Sequence, residues 1–376
     1  MKITGRHYIT EETVSIHIEN DIIDSIETSN EKSDHWIAPA LMDIQINGFG
    51  GYNFNGVEVS PEAVKEIVRL QWSYGIASIC PTVTTNSHEN IINSLKCINQ
   101  ACSDKQIANS IAGIHMEGPY ISKEDGPRGA HPLEHVRDPD WDEFCKFQEA
   151  ADGGICIFSL APEKKGAVSF VEKLADSGVI PGIAHTNATG EEIDAIVKAG
   201  ARLSTHLGNG SHALIPRHPN YIWEQLANDD LMASFISDGH HLPPSVVKCM
   251  FRCKELERTI LVSDAVSYAG MPSGRYEGKT RSVEVSENGR VSLADTPYLA
   301  GAGLGLTSCV SNFSKFTDAS LADAIHAASG NPARLLDRNT GSLEAGKQAD
   351  LMLFKIENGE PEIQQTIVAG DIVYQL

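Results

Sequence analysis

Between residues 40 and 335 the chain keeps switching period, and this switching limits its fold more than any other feature. Short apolar runs rich in β-branched residues alternate with stretches whose apolar residues recur every three or four positions. The strand candidates are LMDIQI, GIASICPTV, IAGIHME, ICIFSLAP, VIPGIAH, ARLSTH, MASFISD and TILVSD. Between them lie the helix candidates PEAVKEIVRLQWSYG, NIINSLKCINQA, DPDWDEFCKFQEAA, GAVSFVEKLADSG, EEIDAIVKAG, NYIWEQLAND and PPSVVKCMFRCKEL. GLTSCVSNFSKF offers an eighth helix after an insertion. Strands separated by helices form parallel βαβ units, and eight such units over about 300 residues suit a closed (β/α)8 barrel of the TIM type. A doubly wound open sheet is the second choice.

The two ends differ from this middle. Residues 1–39 and 337–376 show two-residue alternation, as in TVSIHIE and DIIDSIE, with turn signals at Asn358-Gly359 and Gly370-Asp371. We expect both termini to build one small β-sandwich domain beside a catalytic barrel at 40–336. The insertion, roughly 266–300, contains RSVEVSENGRVSL, where Asn288-Gly289 signals a hairpin. It follows the eighth strand, on the face where a barrel carries its active site.

Charge narrows the function. A formal charge of −20 argues against general binding to nucleic acid or to an anionic membrane. An anionic substrate needs a positive pocket set against this field. No apolar run is long enough to span a membrane, and the opening MKITGRHYIT lacks the apolar centre of a signal peptide. The cysteines show no paired framework. Cys80 and Cys156 sit in apolar runs and read as small core residues of a reducing compartment, so the expected location is cytoplasmic. Cys249 and Cys253 share a helix face and also read as buried.

In a barrel, the carboxyl ends of the strands carry the polar groups that do chemistry. Strand three ends IHMEGPY, which puts Glu117 at the tip and His115 two residues earlier on the same face. Strand five ends in His185, strand six in His206 and strand eight in Asp264. The two histidines lie one βα unit apart, so neighbouring strands bring both to one rim. Two imidazoles and a glutamate are a ligand set of catalytic zinc, which leaves a position open. Iron or manganese binds the same donors. Such a cation lowers the pKa of water from 15.7 to about 7 and polarises a carbonyl. Asp264, not needed as a ligand, can then move a proton from the water to a leaving amine. That chemistry is hydrolysis of an amide-like bond. No GxSxG elbow and no phosphate loop at a strand–helix turn competes with it. His115 reads as a packed, hydrogen-bonded neighbour of the site rather than a ligand. His240 and His241 are adjacent, so at most one faces the pocket. Trp223 reads as helix core.

The segments APALMDIQINGFGG (38–51), PTVTT (81–85), GIHMEGPY (113–120), GAHP around His131, AHTNAT (184–189), STHLGNG (204–210), SDGHHL (237–242), LVSDA (261–265) and NPARLL…GSLEAGKQADLMLF (331–354) carry a resemblance. In this order, and almost end to end, the chain resembles the amidohydrolase superfamily and, within it, the N-acetylglucosamine-6-phosphate deacetylase family. The resemblance implies a homodimeric enzyme that removes acetate from an N-acetylated amino sugar phosphate, with one divalent metal ion, zinc by default. It implies Glu117, His185 and His206 as metal ligands and Asp264 as the acid/base. His131 and His241 match histidines that contact the sugar phosphate. Asn209 and Gly210 match a loop whose backbone N–H groups meet the phosphate, and Arg217 an arginine that reaches it across a dimer interface. Where much of the superfamily has H-x-H on strand one, this chain has Gln45 and Asn47. Neutral amides replace imidazoles poorly, so one metal is expected, with Gln45, Asn47 and His115 in supporting positions.

The chain also departs from the family. His206-Leu207-Gly208-Asn209-Gly210 stands where family members usually carry a bulkier H-L-Y-N-A-M, and LAGAGLGL lacks the serine that often follows the family's small-residue turn. The alternative substrates are therefore an unphosphorylated N-acetyl sugar, another N-acyl amine or a cyclic amide. A non-catalytic scaffold is the rival class, and the presence of Glu117, His185, His206 and Asp264 opposes it.

Overall fold

Four strands open the chain in a computed structural model that describes residues 1–277, 282–357 and 359–376. They are β1 (Lys2–His7), β2 (Thr13–Glu19), β3 (Ile22–Thr28) and β4 (Trp36–Pro39). Eight parallel strands follow: β5 (Leu41–Ile46), β6 (Ile76–Thr84), β7 (Ile114–Glu117), β8 (Ile155–Leu160), β9 (Ile180–Ile183), β10 (Leu203–Ser204), β11 (Met232–Phe235) and β12 (Thr259–Leu261). They lie in chain order in one sheet, and the sheet closes on itself. Ile46 bridges Ala265 in parallel, and Asp264 N donates to Gln45 O at 2.9 Å. The architecture is thus the barrel and not the open sheet. Its interior is filled by Met42, Ile44, Cys80, Ile157, Leu203 and Ile260.

Helices α1 (Pro61–Trp72), α2 (His88–Ala101), α3 (Trp141–Ala150), α4 (Ala167–Asp176), α5 (Gly190–Lys198), α6 (Tyr221–Ala227), α7 (Pro244–Lys254) and α8 (Leu306–Phe316) cover the barrel. Their ends follow local chemistry. Thr189 and Glu192 form a capping box that starts α5, and Ile193, Ile196 and Val197 bury its inner face. Short helices at Leu321–Ala327 and Gly330–Leu335 were not expected from the periodicity. Two further expectations fail. Cys249 and Cys253 are exposed, because α7 buries the stripe Val247, Met250 and Lys254 instead. Trp223 is 53% exposed, because α6 turns Tyr221, Gln225 and Leu226 inward.

After the eighth barrel strand come β13 (Gly274–Tyr276), β14 (Val283–Val285) and β15 (Val291–Leu293), an antiparallel three-stranded sheet. The Asn288-Gly289 turn joins the last two, with Gly289 at φ 76°. Arg281, at the start of the expected hairpin stretch, and Asn358 of the Asn358-Gly359 turn lie outside the described residues. The chain ends in β16 (Leu351–Glu357), β17 (Glu360–Val368) and β18 (Asp371–Gln375). Both termini share one seven-stranded sheet in the order β18-β17-β16-β4-β1-β2-β3. Strand β4 joins the halves, parallel to β1 and antiparallel to β16. The edge strand curls back, and Ile22 bridges Gln348 around a core of Ile16, Ile23, Ile37, Leu351 and Ile367. No helix among the described residues is long and apolar enough to cross a membrane.

Asp43 is buried where the barrel closes. Its Oδ1 accepts from Gln45 N and Ser263 N, both at 3.2 Å, while Oδ2 has no partner. Burial pushes its carboxyl up to about 7. A folded-state pKa above the unfolded value means that Asp43 supports folding fully below about pH 4. That support is withdrawn as pH rises through about 7. Asp43→Asn keeps the acceptor and removes the ionisation. The variant's stability relative to the wild type should therefore rise between about pH 4 and 7, read as the difference in urea midpoints. A difference that does not change with pH would discard this account.

Candidate metal centre

Four polar residues reach the barrel rim, three of them because the backbone breaks out of the strand just before them. The expected strands ended on His185, His206 and Asp264; the observed ones stop at Ile183, Ser204 and Leu261. His185 (φ 50°), His206 (φ 34°) and Asp264 (φ 49°) all take left-handed backbone. Such a conformation costs about 1–3 kcal/mol per residue and persists where the surroundings over-determine it. Glu117 needs no such turn: it ends β7, and the chain leaves through Gly118, whose φ is 81°.

Three donor atoms converge. His206 Nε2 lies 2.7 Å from Glu117 Oε1, His185 Nε2 lies 3.2 Å from the same oxygen, and the two Nε2 atoms are 3.2 Å apart. All three residues are buried. Tetrahedral zinc, with ligand bonds of about 2.0–2.1 Å, separates its donors by only slightly more than these distances. The donor set fits a divalent cation in chemistry and spacing. His185 Nδ1 faces the carbonyl oxygen of Pro127 at 2.7 Å. A carbonyl only accepts, so Nδ1 carries the proton and Nε2 keeps its lone pair for a metal. His206 Nδ1 is buried without a partner.

His131 closes one side of this cluster. Its Nε2 is 3.1 Å from His185 Nε2, and its Nδ1 is 2.8 Å from Thr85 Oγ1. Because His185 Nε2 is bare, His131 Nε2 must be the donor, with the Thr85 hydroxyl donating to Nδ1. Burial, then the neighbouring His185, push the His131 pKa down to about 3, so the ring stays neutral. Nothing in the sequence gives Thr85 a role beyond its place one residue past the end of β6.

The amides of strand β5 face the carboxylates. Gln45 Nε2 donates to Glu117 Oε1 at 3.0 Å, and Asn47 Nδ2 donates to Asp264 Oδ1 at 2.6 Å. The amide oxygens of both are buried and unpartnered. Each spends its N–H side on a charge and leaves its acceptor empty, which costs about 1–3 kcal/mol per orphaned group. His115 points into the barrel, with Nδ1 donating to Ile44 O at 2.9 Å and Nε2 at 2.7 Å from Ser159 Oγ. Burial would push the Glu117 carboxyl up, but the imidazoles of His185 and His206 beside it outweigh it and hold it well below its usual range. For Asp264, burial and then the Glu117 charge push the carboxyl up to about 6.

A cavity of about 420 Å³ opens above the cluster, lined by Asp264, His131, His241, Asn209 and Gly210 among others. A side chain at Gly210 would meet His185 Nδ1 at 2.5 Å, so only glycine fits there. Of the adjacent pair, His241 lines the cavity, while His240 Nε2 faces Asn288 O. Leu299, Ala300 and Gly301 of the insertion form part of the wall. Arg217 lies exposed in the loop before α6 and is not part of this lining. Among the described residues, no lysine or arginine lines the cavity.

A profile of the amidohydrolase family matches residues 285–373. An N-acetylgalactosamine-6-phosphate deacetylase of Escherichia coli O157:H7 is 30% identical over 98% of both chains. An N-acetylglucosamine-6-phosphate deacetylase of Bacillus subtilis is 32% identical over 91% of this chain and 85% of that one. The crystal structure of N-acetylglucosamine-6-phosphate deacetylase from Thermotoga maritima superposes with a TM-score of 0.85 at 27% identity, covering 97% of this chain and 96% of that one. Likeness of this extent, over the barrel, its rim cluster and the terminal sheet together, makes the chain a member of the N-acetylglucosamine-6-phosphate deacetylase family of the amidohydrolases.

Proposed function

We propose that the chain is a metal-dependent deacetylase that hydrolyses the acetamide of an N-acetyl amino sugar 6-phosphate, N-acetylglucosamine 6-phosphate first. The products are acetate and the free amino sugar phosphate. The reading is carried by Glu117, His185 and His206, whose donor atoms lie within 4.8 Å of one another beneath a cavity that also exposes Asp264. Glu117, His185 and His206 would hold one divalent cation, zinc by the chemistry of the donors. When bound, it supplies Lewis acidity to the water and to the amide carbonyl.

The chain's own residues do the rest. Asp264, ionised and held by Asn47 through Oδ1, takes the proton of the attacking water on its free oxygen. It then returns that proton to the amine nitrogen as the C–N bond breaks. His131 Nε2–H, fixed by Thr85, donates to the carbonyl oxygen as charge gathers there. Gln45 steadies Glu117 against the loss of its partners. Gly210 offers its backbone N–H to the phosphate and His241 a ring nitrogen, while Asn209, whose own N–H is held by His206 O at 3.0 Å, lines the same wall. We further propose a cytoplasmic homodimer, in which the exposed Arg217 serves the partner's cavity. The exposure of Arg217, and a lining in which the described residues include no lysine or arginine, support this reading. The same absence favours the second reading, an unphosphorylated N-acetyl sugar.

Acetate release from a panel of N-acetyl hexosamines, with and without 6-phosphate, separates the two. The expected result is a kcat/KM at least about tenfold higher on the 6-phosphate, the worth of one charge-assisted contact. Equal or higher activity on the unphosphorylated sugars would replace the first reading with the second.

A further inference from the structure

We infer that Asp238 is a positioning residue that makes His241 the anion-recognising side chain of the cavity, an inference that rests on the phosphorylated substrate proposed above. Asp238 follows the end of β11, and its side chain is 1% exposed. All its hydrogen bonds serve the next turn. Oδ1 accepts from His240 N and His241 N, each at 2.9 Å, and Oδ2 accepts from His241 Nδ1 at 2.7 Å. Burial would push the Asp238 carboxyl up, but the bonds from His241 outweigh it and hold it below its ordinary value.

The carboxylate only accepts, so His241 Nδ1 carries a proton, and Nε2 is the nitrogen left for whatever enters the cavity. An anionic ester oxygen can be met at Nε2 only if the ring takes a second proton. The imidazolium so formed rests on a buried carboxylate that offsets its charge. The other charged group that senses His241 is Asp264, whose pKa its charge lowers. With no lysine or arginine in the lining among the described residues, this pair is what can set a positive charge of the chain's own against the anion there.

Asp238→Asn tests the orientation with little change of shape. The two backbone N–H groups compel the amide oxygen to stay where Oδ1 was, so the NH2 group must face His241 Nδ1. The ring is then driven to the opposite tautomer, whose neutral Nε2–H still meets the anion but without the charge that the carboxylate sustained. The expected result is a KM for N-acetylglucosamine 6-phosphate raised about tenfold, the worth of that charge. The fall in kcat should be smaller, the metal content equal to wild type, and the KM for N-acetylglucosamine changed less than about threefold. An equal rise for both sugars, or no rise, would overturn the inference. Nitrogen-15 spectra of the imidazoles, with His241 assigned by a His241→Gln variant, give a readout that needs no turnover. His241 should carry its proton on Nδ1 in the wild type and lose it there in Asp238→Asn. A wild-type ring bare at Nδ1 overturns the inference. A wild type that deacetylates no sugar phosphate overturns the functional reading instead, and the spectra still decide the role of Asp238.

Discussion

Asp264→Asn should lower kcat by roughly 10²–10⁴-fold while leaving the metal in place, the usual range for loss of a positioned general acid–base. The substitution keeps the shape and the atom that accepts from Asn47 Nδ2, now at 2.6 Å from Oδ1. What it removes is, among the described residues, the only carboxylate that lines the cavity without belonging to the three-donor cluster. An amide cannot take the proton of the attacking water or carry it to the departing amine. The check is acetate release on N-acetylglucosamine 6-phosphate together with metal analysis of the same preparation. Wild-type turnover in the variant would strip Asp264 of its role. Loss of metal along with activity would move it into the ligand set.

Removing the cation should have the second largest effect. Glu117, His185 and His206 are all buried, and their donors face one another. His206 Nε2 and Glu117 Oε1 face each other at 2.7 Å, and each binds a cation only without a proton. Affinity should consequently fall as pH falls. Chelation should abolish acetate release, and readdition of zinc should restore it. Because the cation binds only the folded chain, a thousandfold excess over Kd stabilises it by about 4 kcal/mol, so the melting temperature should drop on chelation. His206→Ala should copy both losses and resist rescue by zinc. Full activity in a chelated, metal-free sample would end the metallohydrolase reading.

The legible part of the fold was its periodicity. Eight strands and eight covering helices fall where the apolar spacing changes, since burial on one face of a helix or on both faces of a barrel strand leaves a mark on the sequence. Strand ends were less legible. VIPGIAH, ARLSTH and TILVSD all read as strand to their last residue. Yet His185, His206 and Asp264 sit in left-handed backbone, a conformation that non-glycine residues take only where surrounding packing imposes it. Exposure on the helices is not legible in the sequence for a similar reason. Trp223, Cys249 and Cys253 belong to faces that no neighbouring element covers, and apolar character alone does not say which face that is.

The supporting residues show the same divide. His115 and Glu117 are two apart on one strand, yet one fills the barrel interior and the other ends at the rim. Nothing in the spacing of Thr85 and Asp238 links Thr85 to His131 or Asp238 to His241. The sequence by itself determined the order of elements and the set of residues able to bind a cation, because hydrophobic period and side-chain chemistry are local properties. Only the tertiary structure decided which nitrogen each histidine turns inward, which carboxylate oxygen stays free, and that the cavity holds no lysine or arginine among the described residues. Those outcomes depend on hydrogen bonds and approaches between strands far apart in the chain, and closing the barrel is what brings them within reach.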